Sequence, residues 1–154
     1  MTHLLCFGLG FSARVLAARL AARGWTISAT SRTAAGAAAI AAMGYRGWIF
    51  DGTSPLGDAA FDGVTHIVDS APPGAEGDPV IARNRPQLAA RTRQITWAAY
   101  LSTTGVYGDA GGAIVDEFTP VAPSNDRSLR RVAAEGTAQA WCAARGVRCV
   151  ILRV

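Results

Sequence analysis

The stretch Leu4-Leu5-Cys6-Phe7-Gly8-Leu9-Gly10-Phe11-Ser12-Ala13 decides how this chain folds. An apolar run leads into G-x-G-x-x-A, and an Ala/Arg/Leu segment follows that stops at Gly24. The order reads strand, tight turn, helix. Gly8 reaches backbone angles closed to other residues, so the chain can turn sharply. Gly10 carries no side chain, which lets a pyrophosphate approach the backbone, and Ala13 is small enough for close helix–strand packing. A helix opening at Phe11 aims free N–H groups and its positive end at that space, where Phe11 and Ser12 would contact phosphate. Gly8, Gly10, Phe11, Ser12 and Ala13 are therefore cofactor-binding candidates. The plainer alternative is a tight turn without a ligand.

Outward from this turn, short apolar runs alternate with helical stretches, the pattern of βαβ units. Strands are expected at His3–Phe7, Trp25–Thr30, Arg46–Phe50, Thr65–Asp69, Trp97–Ser102 and Val147–Val154. Helices are expected at Phe11–Arg23, Ala34–Met43, Pro79–Arg93 and from Ser124 or Asp126, as cap, to Arg145. Pro86 either starts the third helix proper, with Asn84 as its cap, or kinks it. Thr53–Gly63 and Gly105–Pro123 read as loops. The expectation is an α/β, doubly wound Rossmann fold over residues 1–154, with a mostly parallel sheet of about six strands in the order 3-2-1-4-5-6. The final apolar run Val147–Val154 leads us to expect a C-terminal substrate lobe beyond the sequence.

Composition narrows the class. The 154 residues are 50% hydrophobic and only 17% charged, against global disorder. No apolar run approaches the roughly 20 residues of a membrane span. Cys6, Cys142 and Cys149 lack metal-like spacing, and together with the absence of a signal-peptide pattern they point to a reduced, cytoplasmic setting. His3 and His66 read as structural, so no metal is expected. The formal charge is +4, and all basic residues are Arg. These are scattered and rarely beside aromatics, which argues for solvated helix faces and against nucleic-acid binding. The Ala and Arg usage resembles that of GC-rich bacteria.

Three stretches together resemble the extended and atypical short-chain dehydrogenase/reductase superfamily, the NAD-dependent epimerase/dehydratase group. They are Gly8-Leu9-Gly10-Phe11-Ser12-Ala13, Tyr100-Leu101-Ser102-Thr103-Thr104-Gly105-Val106-Tyr107-Gly108-Asp109 and Arg131-Val132-Ala133-Ala134-Glu135. The resemblance covers the chain as the cofactor half of such a protein. It implies a dinucleotide, a small-molecule carbonyl, hydroxyl or sugar-nucleotide substrate, and oxidoreductase or epimerase-like chemistry. It also implies that Thr103 holds the place of the family's substrate-binding Ser/Thr. The family's catalytic Tyr stands four residues before a Lys, and alignment on Glu135 puts Arg127 and Arg131 at those positions. A guanidinium stays protonated near neutral pH and cannot replace the phenol. Arg131 can still donate hydrogen bonds to a ribose or phosphate. Tyr107 is the remaining phenol near the site, either as replacement acid or as a packed loop aromatic. The alternative function is a non-catalytic dinucleotide-binding or redox-sensing module.

Cofactor choice rests on Ser31 and Arg32. An NAD-binding domain places Asp or Glu about 20 residues past the glycines, whereas here Thr30-Ser31-Arg32 suits a 2′-phosphate. NADP is expected, with NAD as the alternative. The resemblance gives Asp51, before Gly52, an adenine contact; an Asp-Gly turn explains the pair equally well. Ser70, Ala71 and Pro72 close the fourth strand at the edge where open α/β sheets bind ligands. Asp69 is given no chemistry. Family members pair the last helix across a dimer, and Leu129, Val132, Ala133, Gly136 and Ala140 form an apolar stripe whose default partner is the sheet. Trp141 is expected off that stripe, exposed in a monomer and coverable in a homodimer.

Overall fold

A computed structural model describes residues 1–154. Six strands form one sheet: β1 (His3–Phe7), β2 (Thr26–Ser31), β3 (Arg46–Ile49), β4 (His66–Asp69), β5 (Trp97–Ser102) and β6 (Arg148–Arg153). All pair in parallel, in the order β3-β2-β1-β4-β5-β6, as the sequence predicts. Helices α1 (Phe11–Ala21), α2 (Ala34–Ala42), α3 (Pro79–Arg83), α4 (Arg85–Ala90) and α5 (Asp126–Ala143) connect them.

The two faces follow from the period-two alternation of β1. Leu4 and Cys6 join Ala13 and Ala17 of α1 and Ile40 of α2 in one core. Leu5 and Phe7 join Ile67, Tyr100 and the residues of α3–α5 in the other, larger core. Phe7 and Phe50 meet edge to face at 5.3 Å. Burial of each such aromatic contributes about 2–3 kcal/mol. The strand order reverses between β1 and β4, so the crevice of this fold opens at their carboxyl ends.

Of the two readings of Pro86 the first holds: it stands in the first turn of a helix of its own, α4, with Asn84 at the N-cap position, and Pro79–Arg83 forms a separate short helix. Pro86 has no N–H to continue the ladder. Other local expectations are corrected. Asn84 does not cap α4 with its side chain; fully buried, it accepts from Leu56 N (2.8 Å) and donates to Val80 O (2.9 Å). The cap of α5 is Asn125, accepting from Ser128 N at 3.0 Å, rather than Ser124 or Asp126. Both loops contain short 3-10 turns, Asp58–Phe61 and Thr104–Tyr107.

A further correction concerns the faces of α5. Its buried residues are Ser128, Ala134, Glu135, Ala138, Trp141 and Cys142. Leu129, Ala133, Gly136 and Ala140 face solvent, and Val132 is half-buried. The stripe is therefore an outer face, and Trp141 packs inside the monomer at 8% exposure. The apolar pattern misleads because the sheet-facing side includes Glu135, whose charge is neutralised there. Arg153 pairs with Glu135 (Nη2–Oε2 2.8 Å), and Ser102 donates its hydroxyl to the same carboxylate.

His3 links β1 to its neighbours from a buried position: Nε2 meets Ser28 Oγ at 2.6 Å and Nδ1 meets Asp62 O at 3.2 Å. Burial, and secondarily the charge of Arg46, holds its pKa below the ordinary 6.5, against the pull of the Asp62 carbonyl. A depressed folded-state pKa means that acid favours the unfolded chain. Stability measured by urea unfolding should therefore decline as pH falls through 6.5 and below. His3→Gln should flatten that decline.

Candidate cofactor and active site

The glycine turn at the end of β1 is built from three strands. Gly8 has φ +84°, a left-handed conformation that favours glycine. Its N–H donates to Thr30 Oγ1 of β2 at 2.9 Å. Ser70, just past β4, donates its hydroxyl to Phe7 O at 2.8 Å. A Cβ on Gly8 would lie 2.7 Å from Ser70 Oγ. Thr30 and Ser70 thus hold the turn that the motif requires. The sequence marks Ser70 only as an edge residue and Thr30 only by the absence of an acid.

Gly10 differs from Gly8 in every respect. Its φ is −72°, which any residue adopts, and a Cβ there would meet nothing within 4 Å. The fold itself does not require glycine at this position. Gly10 is the N-cap of α1, and no side chain caps that helix. Phe11 and Ser12 are exposed beside it, Phe11 at 88%, while Ala13 is buried at 1% against the sheet. Free N–H groups, a helix N-terminus and an open approach to the backbone fit a pyrophosphate.

The flanking candidates gather around the same edge. Ser31 Oγ lies against Gly36 of α2, where a Cβ would stand 1.9 Å away, and the hydroxyl is taken up in the β2–α2 connection. Arg32 is exposed and has neither an ion pair nor a hydrogen bond. Asp51 accepts from Thr53 N (2.9 Å) and Thr53 Oγ1 (2.7 Å), which holds its carboxyl below the usual range. Asp51, Gly52 and Pro72 line one cavity of about 360 Å³ with Thr53 and the segment Gly74–Pro79. Ala71 packs on the larger core and donates its N–H to Asp69 Oδ1 at 2.9 Å.

The catalytic candidates lie past β5. Thr103 Oγ1 accepts from Gly105 N at 3.2 Å, which leaves its proton free to donate. Tyr107 is buried; its hydroxyl donates to Asp116 O at 2.7 Å and accepts from Arg153 Nη1 at 2.9 Å. The Arg153 guanidinium also lies 4.9 Å from the Tyr107 ring centroid. This phenol is therefore tied to the β6 side of the molecule. Arg131 donates from Nη1 to Leu101 O (2.8 Å) and Tyr100 OH (3.1 Å), with its guanidinium 5.6 Å from the Tyr100 ring centroid. Its Nε and Nη2 are unspent. Arg127 is exposed in the first turn of α5. Beneath these groups lie Asp69 and Asp78, two buried carboxyls in contact, which sequence reasoning did not assign to the site.

Solved structures match this geometry along 99% of the chain. A conserved protein of unknown function from Silicibacter pomeroyi shares 44% identity with a TM-score of 0.83. A short-chain dehydrogenase/reductase superfamily protein from Agrobacterium tumefaciens with bound NAD shares 19%, with a TM-score of 0.73. The chain has the fold of short-chain dehydrogenase/reductase structures over its whole length. The NAD complex of UDP-glucose 4-epimerase from Thermus thermophilus has the same superfamily fold, at 21% identity and a TM-score of 0.74. The chain spans about half the length of these proteins: 53%, 48% and 54% respectively. No protein-family profile and no curated protein matches it. No helix is long and apolar enough to cross a membrane.

The two glycines should separate experimentally. Gly8→Ala forces a strained φ and a clash with Ser70, and should lower unfolding free energy by about 1–3 kcal/mol. Gly10→Val meets open space and should lower unfolding free energy by no more than about 1 kcal/mol, the cost of a poorer N-cap residue.

Proposed function

We propose that this chain is the NADP(H)-binding half of an oxidoreductase or epimerase/dehydratase-like protein acting on a small carbonyl, hydroxyl or sugar-nucleotide substrate. The observation that carries the reading is Gly10, a glycine the fold does not require, at the uncapped N-terminus of α1 and the carboxyl edge of β1. The N–H groups at the start of α1 would hold the pyrophosphate. Asp51, Gly52 and Pro72 would wall the adenosine, and unpaired Arg32 beside Ser31 would take a 2′-phosphate. Arg131 would donate its free Nε and Nη2 to a ribose or phosphate. Thr103, with its proton free, would orient the substrate oxygen. The bound nicotinamide would supply hydride chemistry at this edge.

A second reading, a dinucleotide-binding or redox-sensing module without turnover, is favoured by the lack of a free acid at the site. Arg127 and Arg131 stand where the resembled family has Tyr and Lys, and the Tyr107 hydroxyl is engaged by Asp116 and Arg153. NADPH consumption by the full-length protein across carbonyl and sugar-nucleotide panels separates the two. Turnover supports the enzyme, and tight binding without turnover supports the module. The outer stripe of α5, Leu129 to Ala140, is also the surface through which we propose that two copies associate.

NADP(H) should bind more tightly than NAD(H), and Arg32→Ala should narrow the gap by about 1–3 kcal/mol, the scale of a charge-assisted hydrogen bond. Equal affinities in the unmutated protein contradict the NADP assignment. Gly10→Val should abolish binding of either cofactor. Sedimentation at micromolar concentration should show dimer mass, and monomer mass alone removes the association.

A further inference from the structure

The segment between β4 and α3 is a loop with two carboxyl feet. Asp69 ends β4 at one foot, and Asp78 caps α3 at the other. Both are buried, at 6% and 5% exposure. At the tip, Gly74 and Gly77 exchange backbone hydrogen bonds of 2.9 and 3.2 Å. The body of the loop forms one wall of the cavity that Asp51 and Gly52 complete from the β3 side.

Two carboxyl oxygens at the feet, Asp69 Oδ2 and Asp78 Oδ2, accept from no N–H or hydroxyl, and that of Asp78 is buried. Asp78 Oδ1 accepts from Val80 N (2.6 Å) and Ile81 N (3.2 Å). Asp69 Oδ1 accepts from Ala71 N. Asp78 Oδ2 is buried and has no hydrogen-bond partner. A charged oxygen left this way costs several kcal/mol. The Asp69 carboxyl lies within hydrogen-bonding reach of the Asp78 carboxyl, and it can donate only when it carries a proton.

We propose that a proton shared by Asp69 and Asp78 latches the 71–78 loop over the cavity and so gates cofactor binding. This rests on the cofactor assignment made above. The proton resides on Asp69 and is donated to Asp78 Oδ2. Asp78 Oδ1 already accepts two backbone N–H groups, whereas Asp69 Oδ1 accepts one. Burial, then the negative Asp78 beside it, push the Asp69 carboxyl well above the usual range. The Ala71 N–H and Arg131 pull the other way without reversing this.

The remaining groups facing the pair do not titrate in its place. From β5, Tyr100 is pushed upward by burial and stays neutral. From α5, Arg131 is the only cation, and its contacts are Tyr100 OH and Leu101 O rather than either carboxylate. On the outer side of the loop, Glu76 pairs with Arg83 in an exposed bridge, and Arg83 Nε donates to Gly52 O. Asp51 is held in its charged form by Thr53. When Asp69 releases its proton to solvent, two buried carboxylates are left in contact. Their repulsion drives the feet apart and opens the wall of the cavity. An acid whose pKa is raised in the closed state is fully latched at low pH and unlatched as pH rises through that value.

The test is NADPH titration of the full chain at rising pH, from the ordinary carboxylate range upward, where affinity should fall about tenfold for each unit by which the open and closed pKa values differ. Asp69→Asn keeps a donor toward Asp78 and carries no titrating proton, so its affinity should stay flat at the unmutated protein's low-pH level. Asp78→Asn retains the cap of α3 and should flatten the profile in the same way, which covers a failure of the first variant to fold. Without cofactor, infrared spectra should show a neutral-carboxyl C=O band that titrates in the unmutated protein and is missing in Asp69→Asn. Amide exchange at 74–77 should rise as that band disappears. A flat profile in the unmutated protein, or an unchanged slope in both variants, overturns the latch. If NADPH binds at no pH, the cofactor assignment fails and with it the gating of cofactor; a band that never titrates refutes the shared proton itself.

Discussion

The rest of the site depends on one turn being held at φ +84° where β1 ends. Gly8 alone supplies the conformational freedom, but freedom is not position. Position comes from hydrogen bonds running sideways across the sheet, Gly8 N to Thr30 on one flank and Ser70 to Phe7 O on the other. Because β2 and β4 flank β1, the turn is fixed by the same strand order that creates the crevice. The uncapped start of α1 follows directly, since the chain leaves the turn into a helix with no side chain available at Gly10 to accept its N–H groups.

A second constraint is the burial of charge in the larger core. Glu135 is 4% exposed and is tolerated because Arg153 and Ser102 both reach it. Asp69 and Asp78 have no such cation between them. The two carboxyl arrangements therefore behave differently. One is a neutralised ion pair that ties α5 to the sheet, and the other relies on a proton at the mouth of the crevice. The first shapes where Tyr107 sits, because Arg153 serves Glu135 and the Tyr107 hydroxyl together.

The sheet and its order were legible because period-two apolar runs and glycine stops are local signals, and β1 and β5 begin and end where those signals put them. The glycine turn was legible for the same reason. What escaped the sequence was set by contacts across the chain. Asn84 looks like a helix cap from its neighbours, yet it bridges to Leu56, 28 residues away. The α5 stripe looked like a core face because a charged residue was counted as outward, and only Arg153 makes Glu135 an inward one. Asp69 and Asp78 are ordinary strand-end and cap residues until the fold brings them together. Tyr107 could be placed near the site from its motif, but the partners of its hydroxyl, Asp116 O and Arg153, belong to a loop and a distant strand.

The central claim is that the open edge at Gly10 receives a dinucleotide pyrophosphate. The most direct measurement is a backbone amide chemical-shift map of the isotopically labelled protein titrated with NADPH. The account predicts that the largest saturable shifts fall on the amides of residues 8–13, with a second group at 31–32, 51–52 and 70–71. Shifts confined to other surfaces, or none at saturating NADPH, would contradict it.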